Sequence, residues 1–241
     1  MSLIITLYVR EGIVMASDSR LTLNASQQQG PNQTVLLAVG QSDSNYKTFL
    51  TPTNVGISTY GAAEIQGVPI GGYVESFIHD VIEPQCLSID QTADELLRYF
   101  RAFTPPPDTH FHLAGYVTVN GVTEPHVLQV SVVSNQAVRL NPPGQQGASW
   151  GGESDVLARL IQPVAQVNQQ GQIVAQLPIH PIPWNFFTLQ DAIDFAIFAI
   201  GSTINAMRFQ PRPKTVGGPI DVLVVKPNGA FWVQRKELRA I

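Results

Sequence analysis

The groups best suited to chemistry stand at the start of the chain, which reads Met1-Ser2-Leu3-Ile4-Ile5-Thr6-Leu7-Tyr8-Val9-Arg10-Glu11-Gly12-Ile13-Val14-Met15-Ala16-Ser17-Asp18-Ser19-Arg20. If Met1 is removed, Ser2 carries a hydroxyl and a free α-amine on one residue, which is a nucleophile with its own general base. The ordinary pKa of such an amine, about 8, leaves it partly neutral near pH 7 and able to take the hydroxyl proton. If Met1 is retained, the amine is an amide and this chemistry fails. Taken singly, Ser2 is a common residue after Met, Asp18 fits a strand-end residue bonded to its own backbone, and Lys47 fits a solvated lysine.

Other groupings are poorer. His110 and His112 place two imidazoles on one face of a strand, too few for a metal site. Gly151-Gly152 is not followed by Lys-Ser/Thr, so it is no phosphate loop. Cys86 is the only cysteine, which excludes an intrachain disulfide and suits a reducing, cytoplasmic compartment. Asn24-Ala25-Ser26 and Asn32-Gln33-Thr34 match the glycosylation sequon, but no secretory signal precedes them. Trp150 and Trp184 fit packing or interface roles.

The elements that must position Ser2 follow from periodicity. Leu3 to Val9 and Ile13 to Ser17 read as a hairpin turned at Glu11-Gly12. Asn24 to Asn32 is polar and punctuated by Gly and Pro, which predicts a loop. Strands are expected over Thr34 to Val39, Tyr46 to Leu50 and Val55 to Thr59. A helix is predicted over Ala62 to Ile82, ended by Pro84, and a second from Ser88, with a Ser88/Gln91 capping box, to about Phe103. His112 to Val119, His126 to Ser134 and Ala137 to Leu140 alternate as a meander, turned first at Asn120-Gly121. A third helix is predicted over about Glu153 to Val167, a loop over Asn168 to Asn185, and a fourth helix from Thr188 to about Met207. Ile220 to Val225 and Phe231 to Arg235 form the last hairpin. This order of strands, two helices, strands, two helices, strands argues for a layered α+β sandwich in one domain over residues 1–241.

The 241 residues are 44% hydrophobic and 13% charged, with a formal net charge of -4. That balance gives no case for nucleic acid. No apolar run approaches the roughly 20 residues that span a bilayer; the longest, Ala192 to Ile200, is interrupted by Asp194.

Four stretches together resemble the proteasome β-type subunits of the N-terminal nucleophile hydrolases. Gly12-Ile13-Val14-Met15-Ala16-Ser17-Asp18-Ser19-Arg20 is similar to that family's G-V-V-x-A-A-D-x-R. Lys47 is followed by a strand, a turn and Gly61-Ala62-Ala63. Leu113-Ala114-Gly115-Tyr116 is similar to the strand after the family's second helix. Gly217-Gly218-Pro219-Ile220-Asp221-Val222 is similar to the Gly-Gly entry into its last strands. The resemblance covers nearly the whole chain and implies a four-layer αββα sandwich of two antiparallel sheets flanked by helix pairs.

It also implies roles. Ser2 falls at the position of the family's N-terminal nucleophile. Fourteen positions separate Lys47 from Gly61, as they separate the family's catalytic Lys from its oxyanion glycine. Ser2 would attack a peptide carbonyl, Lys47 would lower the pKa of its neighbours, and Asp18 would hold Lys47. The Gly61 N–H would stabilise the oxyanion, a donor worth about 3–4 kcal/mol. Lys47 Nζ is expected within about 4 Å of both Ser2 and Asp18. Leu21, Phe49, Thr59 and Ala63 would line an apolar substrate pocket. The resemblance calls for no metal or organic cofactor, and it implies a peptide or protein substrate and a homo-oligomeric ring; an ATPase partner would leave no mark in this sequence.

The chain departs from the family at three places. Ser replaces Thr as nucleophile, losing the methyl that restricts the rotamer. The supporting serine before the third helix falls to Ser149 or Ser154 or is missing. In Pro213-Lys214-Thr215-Val216-Gly217-Gly218, Pro213 and Val216 stand where the family has Asp and Ser, and Thr215 is the nearest substitute. Three readings stay open: an N-terminal nucleophile peptidase, an inactive ring-forming subunit, and a non-proteolytic amidase.

Overall fold

The computed structural model describes residues 2–28 and 34–238. Met1, residues 29–33, which take in the end of the expected loop, and residues 239–241 lie outside the described residues. The chain begins with eight strands: β1 (Leu3–Val9), β2 (Gly12–Ser17), β3 (Leu21–Gln28), β4 (Thr34–Ser42), β5 (Thr48–Leu50), β6 (Gly56–Gly61), β7 (Glu64–Ile65) and β8 (Val68–Pro69). Helix α1 (Ile70–Phe77) continues through a π-helical turn (Ile78–Ile82) into α2 (Glu83–Gln85), and α3 (Ile89–Arg101) follows. Strands β9 (Thr109–Val119), β10 (Val122–Ser131), β11 (Gln136–Arg139) and β12 (Gly147–Gly152) precede α4 (Asp155–Ile161). The rest comprises β13 (Ala165–Val167), β14 (Ile173–Gln176), a 3-10 turn (Trp184–Phe186), α5 (Leu189–Arg208), β15 (Asp221–Lys226) and β16 (Gly229–Gln234).

Two antiparallel five-stranded sheets, ordered β12-β1-β2-β15-β16 and β11-β10-β9-β6-β5, face each other. Side chains alternate across each strand. Leu3, Ile5, Leu7 and Val9 of β1 pack toward α5 with Val14, Ala16, Ala196 and Ile200. Tyr8, Ile13 and Met15 turn the other way, against Ala114 and Val127 of the second sheet. The second sheet's outer face packs on α1 and α3 through Val74, Phe77, Leu96 and Phe100. The result is the four-layer αββα sandwich. Because β1 and β2 are covered on both faces, every residue in them is buried, which explains their nearly continuous apolar sequence.

Several polar groups trapped between the sheets are paired, though His112 Nε2 has no partner among the described residues. Thr48 Oγ1 donates to Ser17 Oγ at 2.8 Å and lies 2.9 Å from Ser58 Oγ. Thr6 Oγ1 lies 3.0 Å from His112 Nδ1. Burial, with a lesser push from His110, drives the His112 imidazole down to a pKa of about 3, so it is held neutral.

Four sequence expectations need correction. The helix expected from Ala62 starts only at Ile70. Residues 64–69 form a tight hairpin through Gln66 and Gly67, both at positive φ (52° and 82°), and Pro69 stands just before the helix. Pro84 does not end that helix, which runs on past it from the π-helical turn and stops where Cys86 turns left-handed at φ 50°. The helix expected to Val167 stops at Ile161. Gln162 is extended (φ -92°, ψ 159°), as the steric demand of Pro163 requires, and a β13–β14 hairpin occupies ground expected as helix and loop. The expected loop from Asn24 is strand through Gln28, paired with β4.

The expected Ser88/Gln91 capping box is formed, and Thr188 with Asp191 makes a second. Each satisfies two amide groups that an unfinished first turn would leave without partners.

Candidate active site

Ser2 enters β1, the strand held between β2 and β12. Leu3 pairs with Gly152 on one side and Ile4 with Ser17 on the other, so the start of the chain is pinned inside a sheet. Asp18 follows β2 directly and is fully buried.

Asp18 organises this end of the sheet. Its Oδ1 accepts the Leu3 N–H at 3.0 Å and Lys47 Nζ at 2.7 Å. Its Oδ2 accepts the Arg20 and Gly217 N–H groups, each at 3.0 Å. Three backbone amides and one ammonium therefore saturate a carboxylate that water does not reach. The Gly217-Gly218 entry to β15 thus touches the site through a backbone N–H.

Lys47 is 2% exposed. It precedes β5, and its carbonyl accepts the Thr59 N–H of β6 at 2.9 Å. Burial pushes its ammonium below the ordinary lysine range; the Asp18 charge and hydrogen bond oppose that, and Lys236 adds a smaller downward push. Lys236 in turn contacts buried Asp221, so two acid–base pairs lie side by side under the site. Lys47 Nζ meets Asp18, but among the described residues no hydrogen bond joins it to Ser2. The link to Ser2 runs instead through Asp18 Oδ1 and the amide of Leu3.

Gly61 closes β6 at φ 105°, where a Cβ would lie 2.6 Å from the Asp108 carbonyl oxygen. The preceding Tyr60 ring covers Gly151, the β12 residue paired with Ile4; a Cβ on Gly151 would fall 2.4 Å from that ring. This contact brings the end of β6, and so Gly61, to the Ser2 end of the sandwich.

The expected pocket residues are more dispersed. Phe49 is buried in the core beneath α1, on the face of β5 opposite Thr48. Thr59 Oγ1 lies 3.3 Å from Thr109 Oγ1. Leu21 opens β3 and Ala63 precedes β7, both half-buried. Of the supporting candidates, Ser149 pairs with Thr6, well down the strand from Ser2. Ser154 caps α4 without a side-chain hydrogen bond. Thr215 is buried, and its Oγ1 donates to Glu153 Oε2 at 3.1 Å.

Glu153 and Arg212 were not read as site residues, yet both belong here. The Glu153 N–H donates to the Ser2 carbonyl at 2.7 Å, and Arg212 Nη1 donates to Glu153 Oε1 at 2.9 Å. The missing signal was strand β12: without it, nothing places Glu153 opposite Ser2. Arg20 and Asp43 form a two-bond pair, both contacts at 2.7 Å, which raises the Arg20 pKa and lowers that of Asp43.

Among the described residues, no group of three or more His, Cys, Asp or Glu is placed to hold a metal ion, and no helix is long and apolar enough to cross a membrane.

No family model matches the chain, and no curated protein matches it. It is similar to the solved structure of Anbu from Hyphomicrobium sp. strain MC1, at 12% identity and a TM-score of 0.57, over 98% of this chain and 88% of that one. It is likewise similar to the Anbu (Gly-1) mutant from the same strain, at 14% identity and a TM-score of 0.56, over 98% of this chain and 86% of that one. The likeness to proteasome β-type subunits read from the sequence is thereby corrected: the two solved structures just described are Anbu. At this identity the likeness shows the fold alone, and that fold is the proteasome-like one of N-terminal nucleophile hydrolases, shared with Anbu.

Proposed function

We propose that the chain is a single-domain amide hydrolase that uses Ser2 as an N-terminal nucleophile after removal of Met1. A small second residue such as Ser suits that removal. The Ser2 α-amine takes the hydroxyl proton as Oγ bonds to the carbonyl carbon of a peptide. The Gly61 N–H holds the resulting oxyanion. The tetrahedral intermediate then expels the amine, which carries away the proton, and water hydrolyses the remaining ester by the same path. Lys47, kept charged by Asp18, disfavours protonation of the neighbouring amine.

The observation that carries this reading is the buried Lys47–Asp18 pair whose shared oxygen also grips the Leu3 amide. An ion pair closed to water is expensive to build, and here it is bonded to the residue that follows Ser2. The reading includes peptide or protein substrates, a cytoplasmic location and a homo-oligomeric ring.

A second reading, an inactive ring-forming subunit, is favoured by Val216, which is buried in the apolar core and offers no hydroxyl to the site. Intact mass of protein carrying no added N-terminal residues separates the two. Retention of Met1 in folded, assembled protein sinks the hydrolase. If Met1 is gone, an electrophilic serine probe is expected to label the protein, and Ser2→Ala to abolish the label.

A further inference from the structure

Across the strand from Ser2 the chain is folded back with no spare room. Gly152 stands at φ 92°, and a Cβ there would lie 1.8 Å from the Ser2 carbonyl oxygen. The next residue, Glu153, donates its N–H to that same oxygen. Its carboxylate, 15% exposed, is held at both oxygens, by Arg212 Nη1 at 2.9 Å and Thr215 Oγ1 at 3.1 Å. Arg212 Nη2 reaches Asp155 Oδ1 at 2.9 Å, while Arg159 takes Asp155 Oδ2 at 2.7 Å. Arg212 Nε is buried without a partner among the described residues, so this guanidinium gives up hydration to stay in place. One backbone bond to Ser2 needs none of this.

We propose that Glu153, clamped by Arg212 and Thr215, is a positioning residue for Ser2. Its backbone fixes the Ser2 carbonyl, and its neutralised carboxylate sets the field at the α-amine in place of the support that Pro213 and Val216 do not give. The assignment rests on the reading of Ser2 as nucleophile.

The charges about this end of β1 are Asp18 and Lys47 from the β2 and β5 side, Arg20 and Asp43 beyond them, and Asp221 with Lys236 beneath. On the β12 side stand Glu153, Arg212, Asp155, Arg159 and Lys214. Each acid but one has a single cation; Asp155 shares Arg212 and also holds Arg159. Removing the Glu153 charge leaves positive charge in excess and disfavours the ammonium of Ser2. Removing the Arg212 charge leaves Glu153 unopposed and favours it.

The test is an NMR titration of the α-amine in 15N-serine-labelled protein that begins at Ser2, released from a cleavable fusion. Glu153→Gln is expected to lower the α-amine pKa by about 0.5–1 unit and Arg212→Met to raise it by a similar amount. Arg212→Lys keeps the charge and is expected to restore the parent value. If Arg212→Met does not fold, the sign of the Glu153→Gln shift decides. Shifts in one direction for both variants, or none, overturn the proposal. Opposite shifts in protein that shows no Ser2-dependent hydrolysis uphold Glu153 and sink the hydrolase reading alone.

Discussion

Lys47 Nζ lies 2.7 Å from Asp18 Oδ1 with both side chains closed to solvent. The two partners are not equivalent. Asp18 has three backbone amides besides the lysine, whereas among the described residues the Lys47 ammonium hydrogen-bonds to Asp18 alone.

Removing the carboxylate should therefore cost more than removing the ammonium. Asp18→Ala strands a buried cation and three amide donors, a loss of about 3–5 kcal/mol or more. Lys47→Met leaves a carboxylate still bonded by amides and should cost less. Urea unfolding of the two variants reads the difference; equal losses would show that the amides contribute little. Under the hydrolase reading, both variants lose activity.

Two glycines should respond oppositely to alanine. At Gly152, positive φ and the 1.8 Å approach to the Ser2 carbonyl force the backbone apart, so Gly152→Ala should lower stability by well over the roughly 1 kcal/mol typical of a poor backbone fit and displace Ser2. At Gly201, within α5, an added Cβ meets nothing within 4 Å, so Gly201→Ala should stabilise by about 0.5–1 kcal/mol. Thermal melts of the pair check both signs.

His112 should make the fold acid-sensitive. Its folded pKa of about 3 lies below the ordinary value of about 6.5, so the unfolded chain binds the proton first. The neutral imidazole's contribution is complete above pH 6.5 and is lost as pH falls from there toward 3, at up to about 1.4 kcal/mol per pH unit. His112→Asn keeps a polar partner for Thr6 without a titrating ring. Denaturation midpoints between pH 7 and pH 4 should fall more steeply for the parent than for this variant. Parallel slopes would mean that the imidazole is already protonated in the fold.

What could be read from the sequence was mostly what is local. The β1–β2 hairpin announces itself because both faces are buried and its turn residues are polar. The capping box at Ser88 satisfies amides within four residues of itself, so its spacing is sufficient signal. Strand β12, Gly147–Gly152, carries three glycines among six residues and looks like a loop; its extended form comes from pairing with β1, some 140 residues away. Helix α4 is shorter than its periodicity predicts because, although apolar residues continue past Ile161, the single Pro163 outweighs them. The meeting of Asp18 and Lys47 is implied by the family resemblance and not by either residue alone. The Glu153–Arg212 pair is not implied, since it joins the end of an unrecognised strand to a proline-bearing loop after α5.

One practical consequence lies in how Ser2 is held. With 8% of its surface exposed and strands bonded on either side, any residues fused ahead of it must emerge through the site itself. An affinity tag placed there would be a plug, and an inert preparation made that way would say nothing about the protein. A preparation meant to test the site must therefore begin at Ser2 itself.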